Sequence, residues 1–214
     1  MNKSEKFWDK QSNNFDKRSK KFDQTEIRTL ENTIKYLNVG DTVLDYGCAT
    51  GTMAFEIADH AKKIHGIDIS SKMIDAARKK AAERKIENID FAHSTIFDKR
   101  YQQESFDVIL AFNILHFLED TQKVMKRIYE LLKPGGLIIS VTPCLGEKKS
   151  FINTLIFLLV FLQTKFRMVP YMRFFKISEF EDLIANGNFQ IVETESLQCM
   201  AEQYFIAAKK ISIT

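Results

Sequence analysis

The sequence predicts an α/β protein in which a parallel sheet is covered by helices on both faces. Short apolar runs alternate with helix-like segments between residues 42 and 141, the pattern of strands buried on both sides. One run, Val43-Leu44-Asp45, stops at an acid, turns through Tyr46-Gly47-Cys48-Ala49-Thr50-Gly51 and feeds a helix-like segment over residues 52–58. With 214 residues and 45% hydrophobic content, the chain fits one domain with a full core and a small cap.

The elements follow in order. Residues 3–21 are charged with sparse aromatics, among them Phe7, Trp8 and Phe15, and read as a helical arm. Residues 24–37 read as a helix with Ile27, Leu30, Ile34 and Leu37 on one stripe. Strands are expected at Thr42–Asp45, Lys63–Asp68, Ile89–His93, Phe106–Ala111 and Leu137–Val141. Helices are expected at Gly51–His60, Ser71–Arg84 and Asp120–Leu132, the last stopped by the turn Lys133-Pro134-Gly135-Gly136. After Pro143 the pattern changes to a basic, phenylalanine-rich segment over residues 147–176. Ser178-Glu179-Phe180-Glu181 reads as a capping box for a helix that ends near Asn186-Gly187-Asn188. Phe189–Leu197 and Gln203–Lys209 read as an antiparallel strand pair, and no internal repeat or low-complexity linker interrupts the chain.

Several classes are disfavoured. A net charge of +3 is no nucleic-acid footprint, so DNA is not expected as a partner. The three cysteines, Cys48, Cys144 and Cys199, are widely spaced and match neither a disulfide framework nor a zinc site, which makes a reducing cytoplasm the simplest compartment. The N-terminus opens on mixed charge rather than an apolar signal segment. The longest apolar run, Phe151 to Leu162, has 12 residues, short of the roughly 18 that span a bilayer.

The Asp45–Gly51 turn is a cofactor cradle by its residue types. Small residues allow close backbone approach, and a helix start presents free N–H groups. No Gly-Lys-Ser/Thr follows, so it is not a phosphate loop. It departs from G-x-G-x-x-G, because Ala49 and Thr52 stand at the later glycine positions. The acid inside the turn fits a positively charged or hydroxyl-bearing cofactor better than a pyrophosphate. A second acid, Asp68, ends the next strand 23 positions on, about where an acid accepts ribose hydroxyls in nucleotide-binding folds.

Four segments in register, Asp45–Gly51, Asp68, Phe106-Asp107-Val108-Ile109-Leu110-Ala111 and Leu131-Leu132-Lys133-Pro134-Gly135-Gly136, resemble a class I S-adenosylmethionine-dependent methyltransferase over about residues 40–145. The chain is most similar in character to the ubiquinone/menaquinone biosynthesis methyltransferases, and residues 178–209 fit that group too. The resemblance implies a Rossmann-like, doubly wound seven-stranded sheet, mostly parallel with an antiparallel last strand, plus a helical cap. It divides a single domain into an arm (1–37), a cofactor-binding core (40–145), a cap insertion (146–177) and a C-terminal helix and strand pair (178–214).

It also implies S-adenosyl-L-methionine as cofactor and S-adenosyl-L-homocysteine as product. The Gly47-Cys48-Ala49-Thr50-Gly51 turn would hold the methionine part, with Asp45 near its amino group. Asp68 would take the ribose hydroxyls, Ile69 would pack on the adenine, and Thr95 and the Ile96 backbone would meet the adenine edge. The Phe112 main chain would face the methionine end. The family often has glycine where Ala49 stands, and alanine there asks for negative φ.

Displacement at a sulfonium demands mainly proximity and orientation, with a base only where the acceptor must lose a proton. His116, just past the fourth strand, is the candidate for that role, against a reading as a hydrogen-bonded rim histidine. Cys48 reads as a small packed residue rather than a reactive thiol. Phe112-Asn113-Ile114-Leu115 is not the loop of base-amine methylating enzymes, and neither the glutamate pair of protein-arginine enzymes nor the acid cluster of catechol-type enzymes is evident, so no metal is expected.

Positive charge concentrates in residues 1–21, net +4, and residues 147–176, net +5, and six of the 18 phenylalanines fall between 151 and 175. A basic, apolar cap suits a small amphiphilic or anionic acceptor, or peripheral contact with an anionic membrane. A buried cap helix with a solvated rim is the competing reading. RNA methylation and cofactor binding without turnover are the alternatives in function.

Overall fold

A computed structural model describes residues 3–18, 23–146, 154–155, 158–159, 161–163, 169–197 and 203–211. In chain order the elements are α1 (Lys3–Arg18), α2 (Gln24–Ile34), β1 (Thr42–Tyr46), α3 (Thr52–Glu56), β2 (Lys63–Asp68), α4 (Ser71–Arg84), β3 (Ile89–His93) and β4 (Phe106–Phe112). There follow α5 (Thr121–Leu131), β5 (Leu132–Pro143), α6 (Ile177–Ala185), β6 (Phe189–Leu197) and β7 (Gln203–Lys210), with 3-10 turns at Ala58–His60 and Leu115–Phe117.

The seven strands form one sheet in the order β3-β2-β1-β4-β5-β7-β6. β1 to β5 pair in parallel, and β7 is antiparallel to both β5 and β6. The expected mixed, doubly wound sheet is therefore present. Strand alternation assigns neighbouring side chains to opposite cores. Leu44 and Ile109 face a cluster with Val124, Met125 and Ile128 of α5 and Phe180 and Ile184 of α6. Val43, Val108 and Leu110 face a second cluster with Phe55 of α3 and Ile74, Ala77 and Ala81 of α4.

Three elements differ from expectation. The helix expected over Gly51–His60 is a five-residue helix followed by a 3-10 turn. The capping box at Ser178–Glu181 is displaced: α6 starts at Ile177 with Lys176 at the N-cap. Glu179, not Glu181, takes the Lys176 N–H at 3.2 Å, while Glu181 accepts the Tyr204 hydroxyl at 2.6 Å. The Lys-Pro-Gly-Gly stretch begins β5: Leu132 pairs with Phe106 and Leu137 with Val108, so residues 133–136 bulge out of register.

A capping box unread in the sequence opens α2. The Asp23 carboxylate takes the Glu26 N–H at 2.8 Å, and Glu26 returns the favour to the Asp23 N–H at 2.9 Å. α1 packs against α4. Buried Asp9 accepts the Ser70 hydroxyl at 2.6 Å and the Lys72 N–H at 3.3 Å, which adds an acid from the arm to the N-terminus of α4. No helix among the described residues is long and apolar enough to cross a membrane.

Candidate active site

The order of strands reverses between β1 and β4, and open α/β sheets bind ligands at that point, outside the carboxyl ends of the strands. The Asp45–Gly51 turn and Phe112-Asn113 sit there. Asp45 is 3% exposed, and its Oδ2 has no hydrogen-bond partner. Burial first, and the Asp68 carboxylate second, push its carboxyl up to about 7.

The turn is pinned from below. Gly47 and Cys48 both donate N–H to the Ile67 carbonyl, at 2.8 and 3.1 Å, and Gly51 donates to Cys48 at 2.8 Å. Gly47 and Gly51 both stand at φ +79, and a Cβ on Gly51 would lie 2.6 Å from the Phe91 ring. Ala49 also has positive φ, +47. The expectation of negative φ there is thus wrong. The left-handed bend between the two glycines turns the Ala49 N–H onto Asp68 Oδ2 at 3.1 Å, and that bond offsets the strain.

Asp68 is therefore both site residue and scaffold, since its Oδ1 accepts the Ser70 N–H at 2.8 Å. A carboxylate has about four acceptor positions, so capacity remains for a ligand. Burial raises its proton affinity, and the two N–H groups partly offset that. Cys48 is buried, and burial drives its thiol well above the ordinary value, so it is an inert packed residue.

Two cavities open along the turn. One, of about 150 Å³, is lined by Asp45, Gly47, Cys48, Ala49, Phe112 and residues Thr25, Glu26 and Thr29 of α2. The other, of about 740 Å³, is lined by Gly47, Ala49, Asp68, Ile69, Thr95, Phe112 and His116. Its remaining wall sets the aromatics Trp8, Phe15, Phe97, Phe117 and Tyr171 beside the charged Glu119, Asp120 and Lys123.

The structure thus brings together Asp45, Gly47, Cys48, Ala49, Asp68, Ile69, Thr95, Phe112 and His116 around joined cavities. Thr50 and Gly51 shape the turn without lining either cavity, and the Ile96 side chain is wholly buried in the core. The Ile96 carbonyl takes Arg127 Nε at 3.2 Å. Thr95 is exposed, and its hydroxyl accepts the Phe97 N–H at 3.3 Å.

His116 is not a rim residue: it is 4% exposed, its Nδ1 has no partner, and burial lowers its proton affinity to about 3. The main chain of residue 173 fixes it from behind, with the Arg173 N–H on the His116 carbonyl at 2.7 Å. The resemblance implies that the N-terminal arm covers the site mouth, and the residue that does so, unassigned in the sequence, is Trp8, which meets the Phe117 ring edge-on at 5.1 Å between centroids. Sequence reasoning missed Asn113; its φ of +52 lets it turn into both cavities.

A ligand with an ammonium group and vicinal hydroxyls fits this donor set. Asp45 offers an unpartnered buried oxygen, Asp68 a fixed carboxylate, and the glycines a backbone that no side chain obstructs.

Residues 37–200 match a family model described as a methyltransferase domain. The chain is 26% identical over 159 residues to a ubiquinone biosynthesis O-methyltransferase from Coxiella burnetii, covering 72% of this chain and 65% of that protein. It is 33% identical over 101 residues to phosphoethanolamine N-methyltransferase 2 from Caenorhabditis elegans, covering 47% of this chain and 23% of that protein. The chain therefore spans between about a quarter and two thirds of these relatives' lengths. A solved SAM-dependent methyltransferase from Methanosarcina mazei superposes with a TM-score of 0.69 at 21% identity, over 84% of this chain and 97% of that one, which shows a shared fold. The matched domain, with a strand order shared with solved methyltransferases, leads to one conclusion: the chain belongs to the methyltransferase-domain family.

Proposed function

We propose that the joined cavities seat S-adenosyl-L-methionine along the Asp45–Gly51 turn and a small apolar or amphiphilic acceptor against the aromatic wall. The observation that carries this is the buried, unpartnered Asp45 Oδ2, which lacks only a cation. In this reading Asp45 pairs with the amino group, and the Gly47–Gly51 turn with Cys48, Ala49 and Thr50 shapes the wall beside it. Asp68 accepts ribose hydroxyls with the lone pairs its two N–H donors leave free. Ile69, Thr95 and the Ile96 backbone border the adenine, and Phe112 closes the methionine end.

The bound sulfonium supplies an activated methyl group whose leaving group is a neutral thioether. The chain's own task is then to orient the acceptor and exclude water. Trp8, Phe97, Phe117 and Tyr171 do this with apolar faces. His116, neutral at any physiological pH, lines the same cavity and acts by orienting the acceptor rather than by holding a proton in solution equilibrium.

The apolar wall favours an amphiphilic acceptor, and the basic segment at 147–176 favours one with an anionic part or origin. The ubiquinone-pathway relative is named for a small-molecule acceptor, which supports the class without naming the molecule. A labelled-methyl screen over quinones, lipids, small amines and RNA tests the proposal. Label in an apolar or amphiphilic small molecule is expected, and label in RNA alone would overturn it.

A further inference from the structure

Among the described residues, three buried side-chain atoms have no hydrogen-bond partner: Asp45 Oδ2, His116 Nδ1 and Gln203 Oε1. Buried polar atoms are almost always paired, so each exception needs a cause. Asp45 lines the smaller of the joined cavities, and His116 and Gln203 line the larger. The unmet hydrogen-bonding capacity of these buried side chains is thus gathered at the ligand cavities. Asp45 finds its counterpart in the cofactor's ammonium group. The Gln203 oxygen has no counterpart within the chain.

Gln203 opens β7, where it stands opposite Pro143 of β5 and Leu197 of β6. Pro143 lines the same cavity and has no N–H to offer. Tyr204, the next residue, points to the other face of the sheet and gives its hydroxyl to Glu181 at 2.6 Å. Other polar side chains on the cavity wall are used by the fold itself. Asp120 accepts the Lys123 N–H at 2.9 Å, and Thr95 accepts the Phe97 N–H at 3.3 Å.

An orphaned amide oxygen costs stability, so the fold alone gives no reason for it. No hydrogen bond holds Oε1, and the terminal amide torsion is soft. A small turn of the amide can therefore present the oxygen to the cavity without breaking a bond. An amide oxygen only accepts, so its partner must donate. A carbonyl, an ether or a tertiary amine in that place would leave it unpaired.

We propose that Gln203 is a positioning residue of the large cavity and selects acceptors that carry an O–H or N–H group. The proposal rests on the cofactor and acceptor reading only for the identity of that cavity. The preference for a donor follows from the orphaned oxygen itself.

Calorimetric titration of the full chain without cofactor tests it. The probes are 4-butylphenol and 4-butylaniline, each beside its methylated counterpart, 4-butylanisole or N,N-dimethyl-4-butylaniline. In one pair or both, the donor-bearing probe is expected to bind about fivefold or more tightly, the worth of one neutral hydrogen bond. Gln203→Met keeps the volume and removes the amide, and the preference should disappear in it. The urea midpoint of that variant should stay level or rise, because no bond within the fold is lost.

Equal affinity within both pairs would overturn the proposal and leave a water as the partner of Oε1. A preference that survives in Gln203→Met would overturn it too, as would a lowered urea midpoint or no binding by any probe. Titration with S-adenosylmethionine is read separately. A wild type that prefers the donor-bearing probes yet binds no cofactor would fail the cofactor seat and leave the role of Gln203 standing.

Discussion

Asp45→Asn separates what the fold prefers from what the site requires. The Asp45 carboxyl has its proton affinity raised from 3.8 to about 7 by burial and by Asp68. Because the folded-state value lies above the unfolded one, the folded protein holds the extra proton between those limits. The stabilising contribution of the neutral acid is complete below about pH 4 and is lost as pH rises through about 7. About three decades in proton affinity correspond to ~4 kcal/mol, an upper figure for the cost of the buried charge at pH 8. Asparagine removes the charge but leaves a buried amide short of partners, which costs about 1–3 kcal/mol. The ligand-free variant should therefore be more stable than the wild type at pH 8, by about 1–3 kcal/mol. At pH 4, where the wild-type carboxyl is neutral, only the amide's cost remains and the variant should be the less stable by about 1–3 kcal/mol. Urea unfolding at both pH values measures this. Equal stability of the two proteins at pH 8, or a variant advantage that grows toward acid, would refute the reasoning.

Three further outcomes follow from the geometry. Gly51→Ala forces a side chain into φ +79 and puts a Cβ 2.6 Å from Phe91, so urea titration should show a loss of about 2–4 kcal/mol. Asp9→Ala removes the acceptor for the Ser70 hydroxyl and the Lys72 N–H. It should release α1, with a loss of about 1–2 kcal/mol and a red shift in the emission of Trp8, the chain's one tryptophan. His116 stays neutral above about pH 3, so kcat/KM against pH should show no limb near the ordinary histidine value. His116→Asn should still slow turnover by about tenfold or more through lost orientation. A limb near pH 6.5 that disappears in the variant would assign His116 a proton-transfer role.

The sheet was legible because its signals are local. β1 and β4 are largely apolar runs that end at Gly47 and Asn113, while β2 and β3 mix apolar and polar residues with part of each strand buried, and periodicity reads both patterns. The acid after β2 and the glycine turn after β1 were legible for the same reason. What escaped depends on contacts between distant residues. The positive φ of Ala49 is set by Asp68, 19 positions away. His116 is held beneath the return of residue 173, a contact the local pattern does not show. The closure of the site by α1 rests on Asp9 reaching Ser70 across 61 positions. About half of the cap expected over residues 146–177 lies outside the described residues, as does Cys199.

The central claim is that Asp45 and Asp68 form the cation and hydroxyl sites of the S-adenosylmethionine seat. Calorimetric titration of the full chain with that cofactor at pH 8 tests it most directly, with Asp45→Asn and Asp68→Asn beside the wild type. Saturable one-to-one binding by the wild type is expected, weakened by about tenfold or more in each variant, since each loses a charge-assisted contact. No heat from the wild type, or equal affinity in all three proteins, would contradict it.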